Sequence, residues 1–389
     1  MAAHALVEAG WKVLLLERGD WVSRGPHNWD PESVGDLTPH YSTETPYLVI
    51  DEAGTKTAGA YHCVGGPSVF YGGVALRFRA EDFEYNPEIA EGSDARWPLD
   101  YSELEPHYAA AERLLGVAGD GEDDPTAPPR SSPYPQRPAD LAPVSRRIDR
   151  AARELGYRPS RLPLAINYAP GACRSCGTCD GFACAVSAKN DLATAVIGPL
   201  LLKGLRLETN VVVTRLQVEG NRITGVETAH RVSGRREVHR GKQVVVAAGA
   251  LATPHLLLAS GLEQHNPAGH VVGRYLMRHY NEITFGIFPQ PPNPGGGFHK
   301  QLWIHDFYFG HPSVPEPRKK LGALQQLATP PVALVRAHLP RLVGNLCAPW
   351  VNHLTGLLVM AEDQPLYENR VTLDSSERDQ YGRRRAVVH

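Results

Sequence analysis

The chain has 389 residues, 42% of them hydrophobic and 21% charged, enough for two interleaved domains rather than one small core. Its 40 basic and 42 acidic residues leave a net charge of −2, so it carries no electrostatic footprint for nucleic acid or an anionic membrane. No apolar run approaches the ~18–20 residues of a membrane span.

In chain order, residues 2–9 read as a helix end with Gly10 as its left-handed cap, followed by the wholly apolar run Val13 to Leu16. Such a run suits a parallel strand covered on both faces. Helix, tight turn and strand make half of a βαβ unit, whose first strand is not in the sequence. No signal peptide is visible, which favours the cytoplasm, and the natural start is expected to lie upstream.

Residues 20–60 are rich in Pro, Asp and Thr and are expected to run over the surface. Two glycine pairs follow, Gly65-Gly66 and Gly72-Gly73. Ser102 and Glu105 have capping-box spacing and open a helix through about Leu115. After a Pro- and Asp-rich loop over 119–143, a second amphipathic helix is expected over Ser145 to Leu155. Strands begin near Leu205, with turns at Gly220-Asn221 and Gly234. Val244 to Ala247 is a further apolar strand running into Gly249 and a helix over Thr253 to Ala259. Beyond Phe285 the pattern weakens, until Arg370 to Asp374 reads as one more strand.

Spacing suggests a nucleotide. In a dinucleotide-binding βαβ unit, an acidic residue ends the second strand about 20 residues past the phosphate loop and holds a ribose hydroxyl. Glu17 ends a buried strand, and counting back reaches ahead of Met1. A plain solvent-edge charge is the competing reading. The second apolar strand adds weight: Gly249 allows close backbone approach, Thr253 begins a helix whose free N–H groups suit an anion, and Pro254 fits the first turn.

At this point the chain resembles a known family, the glucose-methanol-choline (GMC) oxidoreductases. Gly249-Ala-Leu-Ala-Thr-Pro-His-Leu-Leu-Leu-Ala-Ser-Gly261 is similar to that family's second signature, and Gly65-Gly-Pro-Ser-Val-Phe-Tyr-Gly-Gly73 to its first. Trp97 to Tyr101, Val272 to Arg274 and Asn369 to Leu373 match in register. Pro67 and Tyr71 depart from the usual pattern.

The resemblance implies FAD and hydride removal from the CH–OH group of a small-molecule alcohol, sugar or sterol, with an electron acceptor completing the cycle. It places Glu17 at the adenosine ribose and the Val213 backbone at the adenine. Gly249, Ala250, Thr253 and Pro254 fall near adenosine and diphosphate, and Gly65, Gly66, Ser68, Tyr71, Gly72 and Gly73 along the flavin. The family's catalytic His lies beyond His389, so no catalytic residue is assigned, and the chain is expected to be an inactive fragment of an active enzyme. The rivals are a flavin-binding electron relay without chemistry of its own and a pyridine-nucleotide reductase using a cysteine pair.

Cys173, Cys176, Cys179 and Cys184 have a spacing close to ferredoxin-type runs, with the last gap one residue longer and Ala185 in place of Pro. An iron–sulfur cluster, a structural zinc and plain structural thiols all remain open. The expected fold is α/β. A discontinuous Rossmann-like FAD domain over 1–80 and 190–280 has a central parallel sheet, and a substrate-side α+β domain over 81–189 and 281–389 has an antiparallel one.

Overall fold

The computed structural model describes residues 1–29, 41–86, 96–121, 124–313, 320–330, 332, 335–336 and 339–389. Helix α1 (Ala2–Glu8) and strand β1 (Leu14–Leu16) are followed by β2 (Tyr41–Asp51) and β3 (Gly54–Tyr61). Next come α2 (Tyr101–Leu114), α3 (Pro143–Glu154), β4 (Pro159–Arg161) and α4 (Gly198–Leu202). Strands β5 (Arg206–Glu208), β6 (Val211–Glu219), β7 (Arg222–His230) and β8 (Arg236–His239) lead to α5 (Ala252–Ala259). The last third holds β9 (Tyr280–Ile287), β10 (Leu302–Ile304), β11 (Ala323–Leu327), α6 (Arg341–Cys347), β12 (Leu354–Ala361), β13 (Val371–Arg378) and β14 (Arg384–Val388).

The fold is mixed α/β, with parallel and antiparallel pairing. β1 pairs with β5 in parallel, Leu14 opposite Arg206 and Leu16 opposite Glu208. α1 lies against this pair: Ala3, Val7, Val13 and Leu15 pack on buried Val196, Leu200 and Leu205. The helix stops at Gly10 (φ +80°), whose N–H reaches the Val7 carbonyl at 2.9 Å. β6, β7 and β8 form an antiparallel meander.

A four-stranded sheet has the order β13-β14-β2-β3, in which β14 and β2 run parallel and the other pairs antiparallel. It joins a segment expected on the flavin side to one expected on the substrate side. Its core is Tyr47, Val49, Val371, Ala386 and Val388. The antiparallel sheet is β4-β10-β11-β12-β9, cored by Leu162, Leu164, Ile166, Phe298 and Trp303.

Several expectations need correction. Residues 20–60 are not surface excursion throughout, because β2 and β3 pair over most of their length. Helix α2 is capped by Asp100, which accepts from Glu103 N at 3.2 Å, and not by Ser102; Glu105 instead turns inward to Arg77. Val244 to Ala247 joins no ladder among the described residues. Apolar side chains alone do not make a strand without a hydrogen-bonded neighbour; Val244 and Val246 pack on the β6–β7 core while Val245 stays 57% exposed. Part of the Pro-spaced stretch over 330–350 lies outside the described residues.

Candidate functional site

Glu17 sits where β1 ends. Its N–H donates to the Glu208 carbonyl at 2.9 Å and its own carbonyl accepts from Val211 N at 2.9 Å, so the turn out of β1 is tied to both β5 and β6. Its side-chain Oε1 accepts from Gly19 N at 2.8 Å. Burial pushes this carboxyl above the ordinary range, while backbone N–H groups of Gly19 and Arg18 and the charges of Arg18 and Arg231 pull it back. A donor placed against it would favour the charged form further.

Just past Glu17 the chain pairs with the segment that leads into the first glycine signature: Asp20 bridges to Cys63, and Val64 N donates to the Asp20 carbonyl at 3.0 Å. The signature forms a tight turn, a 3-10 segment over Gly66–Val69 begun by Gly65 at φ +91°. A Cβ on Gly65 would lie 2.8 Å from Ala193 N, so positive φ and close packing both require glycine there. Ser68 Oγ donates to the Gly65 carbonyl at 2.6 Å and accepts from Leu192 N at 3.0 Å, which commits this hydroxyl to the loop itself. Tyr71 donates to the Asn190 carbonyl at 2.8 Å. A Cβ on Gly72 would lie 1.9 Å from Asp180 Oδ1, and the side chain of Gly73 would face Ile166.

The residue that holds this loop was not singled out from sequence. Lys189 is 1% exposed, and its ammonium donates to the carbonyls of Tyr71 (2.7 Å), Cys179 (2.8 Å) and Phe182 (2.7 Å). One cation thereby fastens the glycine signature to the cysteine segment. Burial lowers its pKa, and three carbonyl partners satisfy all three donors. Lys300 adds a second tie through Asp180 at 2.8 Å. Asp191, wholly buried, accepts from Ala193 N and Thr194 N and pairs with Arg24 at 2.9 Å, fixing the π-helical turn over Ala193–Ile197. Lys189 and Asp191 are visible in the sequence, but Lys189 donates to main-chain carbonyls and Asp191 accepts from main-chain N–H groups, and sequence does not display such partners.

The second signature leads from the unpaired Val244–Ala247 segment into α5. Gly249 has φ +93° and nothing within 4 Å of where a Cβ would stand, so main chain is presented openly there. Thr253 Oγ1 accepts from Ala248 N at 3.0 Å, closing the turn. Val213, Val244, Val246, Leu16 and Leu257 gather around buried Leu216, Val226 and Leu256. The strand end at Leu16, Val213 and the two segments flanking the 249–254 turn, Val244 and Val246 before it and Leu256 and Leu257 after it, therefore rest on one core. The Val213 carbonyl accepts from Arg383 at 3.2 Å. The other matching stretches also meet: Val371 N donates to the Gly273 carbonyl at 2.8 Å, and a Cβ on Gly273 would lie 3.5 Å from Pro254.

The four cysteines carry free thiols. None of Cys173, Cys176, Cys179 and Cys184 is in a disulfide, and among the described residues no three of their thiols lie within 4.8 Å of one another, as one shared ion would need. The segment is organised by Lys189 and by local bonds, Ser175 N to Cys173 Sγ at 3.3 Å and Cys176 Sγ with Thr178 Oγ1 at 3.4 Å. Burial pushes the Cys173 and Cys179 thiols up, which favours the protonated form over a ligating thiolate.

Histidines hold structure. His255 is buried with Nε2 at 2.7 Å from the Arg384 carbonyl, His389 bonds Thr372 at 2.9 Å, and His279 is exposed. His305 lies between Arg79 and Asp124, at 2.7 Å and 3.0 Å.

Residues 133–281 match the family model described as GMC oxidoreductase. 6'''-Hydroxyparomomycin C oxidase of Streptomyces lividus is 32% identical over 311 residues, 75% of this chain and 54% of that protein. The chain belongs to the GMC oxidoreductase family. This GMC chain is also 26% identical to 2-methyl-1,2-propanediol dehydrogenase of Mycolicibacterium austroafricanum, over 97% of its own length and 72% of that protein. To the fructose dehydrogenase large subunit of Gluconobacter japonicus it is 29% identical, over 80% and 62% of the two lengths. It thus spans about half the length of the first of these relatives. The crystal structure of pyridoxine 4-oxidase from Mesorbium loti shares the fold, with a TM-score of 0.62 and 21% identity over the whole of this chain and 72% of that one.

Proposed function

We propose that this chain supplies the cofactor-holding part of an FAD-dependent oxidoreductase acting on the CH–OH group of a small polyol or sugar. The observation that carries the reading is the core shared by Leu16 beside Glu17, Val213 and the segments on either side of the 249–254 turn, with Asp20 and Cys63 joining the Glu17 strand end to the Gly65–Gly73 loop. A carboxylate at a strand end suits a ribose diol, and open main chain at Gly249 followed by a helix start suits a diphosphate. Glu17, Val213, Gly249, Ala250, Thr253 and Pro254 would hold the adenosine and diphosphate; Gly65, Gly66, Ser68, Tyr71, Gly72 and Gly73 would line the flavin. When bound, FAD supplies the two-electron acceptor for hydride from the donor carbon. Two of the relatives named above are called dehydrogenases of a diol and of fructose, and a third an oxidase of an aminoglycoside, which supports a hydroxyl-bearing donor.

The test is FAD titration of the purified chain by quenching of flavin fluorescence, then anaerobic addition of diols, ketoses and amino sugars to the loaded protein. The expected result is saturable binding, and absence of binding would overturn the cofactor assignment. Bleaching of the oxidised flavin band by one of these donors would identify the donor and overturn the reading of the chain as an inactive fragment.

A further inference from the structure

The ends of β5 and β8 bring together three potential metal ligands that the flavin site does not use. Glu237 and His239 stand two residues apart on β8, so their side chains share one face of the strand. Glu208 reaches the same point from the end of β5. His239 Nε2 lies 3.9 Å from Glu208 Oε2 and 4.0 Å from Glu237 Oε2, and one ligand atom from each residue lies within 4.8 Å of the other two. Side-chain exposures of 17% for His239 and 29% for Glu208 leave the group reachable yet framed by protein.

We propose that Glu208, Glu237 and His239 form a binding site for one divalent transition-metal ion of the zinc type. Imidazole nitrogen with two carboxylate oxygens is a donor set that zinc accepts, with water in the fourth position. Around zinc at about 2.1 Å from each ligand, tetrahedral neighbours stand about 3.4 Å apart, so the two histidine–carboxylate separations close by about half an ångström on binding. Two carboxylates facing each other repel unless a cation sits between them. The local arginines supply little of that. Arg206 takes Glu208 through the other oxygen, Oε1, at 3.4 Å, whereas Arg235 reaches Oε2 of Glu237, the oxygen that faces His239, at 3.3 Å and would give it up to the ion. Both arginines are mostly exposed, at 76% and 66%, and such pairs contribute about 0–1 kcal/mol. Thr228 Oγ1, 3.3 Å from His239 Nε2, is the other neighbour and turns aside by rotation about one bond.

The ion would also have a structural consequence. Among the described residues, β8 is an edge strand that pairs only with β7, and β5 pairs only with β1. A metal bridging them would staple the meander to the parallel pair at Glu208, the residue whose carbonyl accepts the Glu17 N–H.

The experiment is zinc titration by calorimetry of the whole chain after chelator treatment, alongside H239A, E208Q and the exposed control H265A. Thermal midpoints in chelator establish that each variant is folded. The expected result is one high-affinity equivalent in the wild type and in H265A, weakened at least tenfold in both H239A and E208Q. Zinc should raise the midpoint of the wild type but of neither variant. Equal stoichiometry and affinity in the wild type and both variants would overturn the site and assign any bound zinc elsewhere, the cysteine segment first. Loss in only one of the two variants would overturn the three-ligand arrangement.

Discussion

At the scale of single residues, Glu17 is held in a state that serves binding better than stability. Burial raises its pKa, so the folded chain without ligand binds protons that the unfolded chain has released, and stability falls as pH rises through that interval. Glu17→Gln removes the buried charge. It should leave the ligand-free chain at least as stable as wild type at neutral pH in thermal unfolding. Glu17→Ala, which removes the acceptor, should weaken FAD by about 1.5–3 kcal/mol, roughly 10- to 100-fold, the cost of a hydrogen bond to a charged group. His305 has the opposite sign. Burial and the Arg79 guanidinium hold its pKa down to about 4 despite the hydrogen bond to Asp124. Arg79 donates to Nε2, so Nδ1 carries the proton that Asp124 accepts in a neutral ring. The unfolded ring takes up a proton near pH 6.5, before the folded one does. Stability is therefore fully present above that pH and declines as pH falls toward 4. Chemical unfolding as a function of pH should show this limb in the wild type and a shallower one in His305→Gln.

At the scale of elements, the glycine signature is held from outside by Lys189 and Lys300, and this can be tested from both sides of the contact. Lys189→Met keeps the volume but orphans three buried carbonyls and should cost about 3–5 kcal/mol, read as a fall in the denaturant midpoint. Gly72→Ala drives a methyl into Asp180 Oδ1 and the Lys300 ammonium; it should cost about 1–3 kcal/mol and weaken flavin binding with it. A Gly72→Ala chain of wild-type stability would show that the Asp180–Lys300 pair is not a fixed wall. These elements also show what the sequence made legible. α1, its Gly10 cap, β1, the meander with its Gly220 turn and α5 all follow from local pattern, because periodicity and turn chemistry are written in neighbouring residues. The strand at Val244–Ala247 did not form, because pairing depends on a second segment that local pattern does not contain. β2 and β3 pair with each other across a two-residue turn and were missed because Ser, Thr, Pro and charged residues dilute their apolar alternation; only β2 has the distant parallel partner, β14, more than 300 residues away. The cysteine spacing suggested a metal, whereas the buried lysine that organises that segment has no local signature. α2 is the instructive intermediate: its end near Leu115 was placed correctly, and its cap, with its start, two residues late. Glu105 joins Tyr101 and Glu112 on one helical face around Arg77, a role set by a residue outside the helix.

At the scale of the whole molecule, the antiparallel sheet ends on a strand that nothing among the described residues covers. β9 pairs only with β12, and all eight of its residues are exposed. Ile283, Phe285 and Ile287 alternate along one face at 52%, 39% and 72% exposure, with Tyr280 at 71% where the strand begins. Natural edge strands are blunted by charge, proline or a bulge, and β9 has one charged residue, Glu282, and no proline. Further apolar surface is offered by Leu342 and Leu346 on α6 and by Trp350 just beyond it, at 75%, 67% and 57%. An open row of N–H and C=O groups beside apolar side chains pairs readily with a second copy of itself. The chain should therefore self-associate with rising concentration in sedimentation velocity. Ile283→Lys, which sets a charge on the apolar face without disturbing the ladder to β12, should shift the distribution toward monomer. Its stability should be nearly unchanged, since substitution at an exposed site away from special backbone or buried contacts usually stays within about 0.5 kcal/mol. If Ile283→Lys associated as strongly as wild type, the edge would not be the contact, and the exposed residues of α6 would be the next surface to charge.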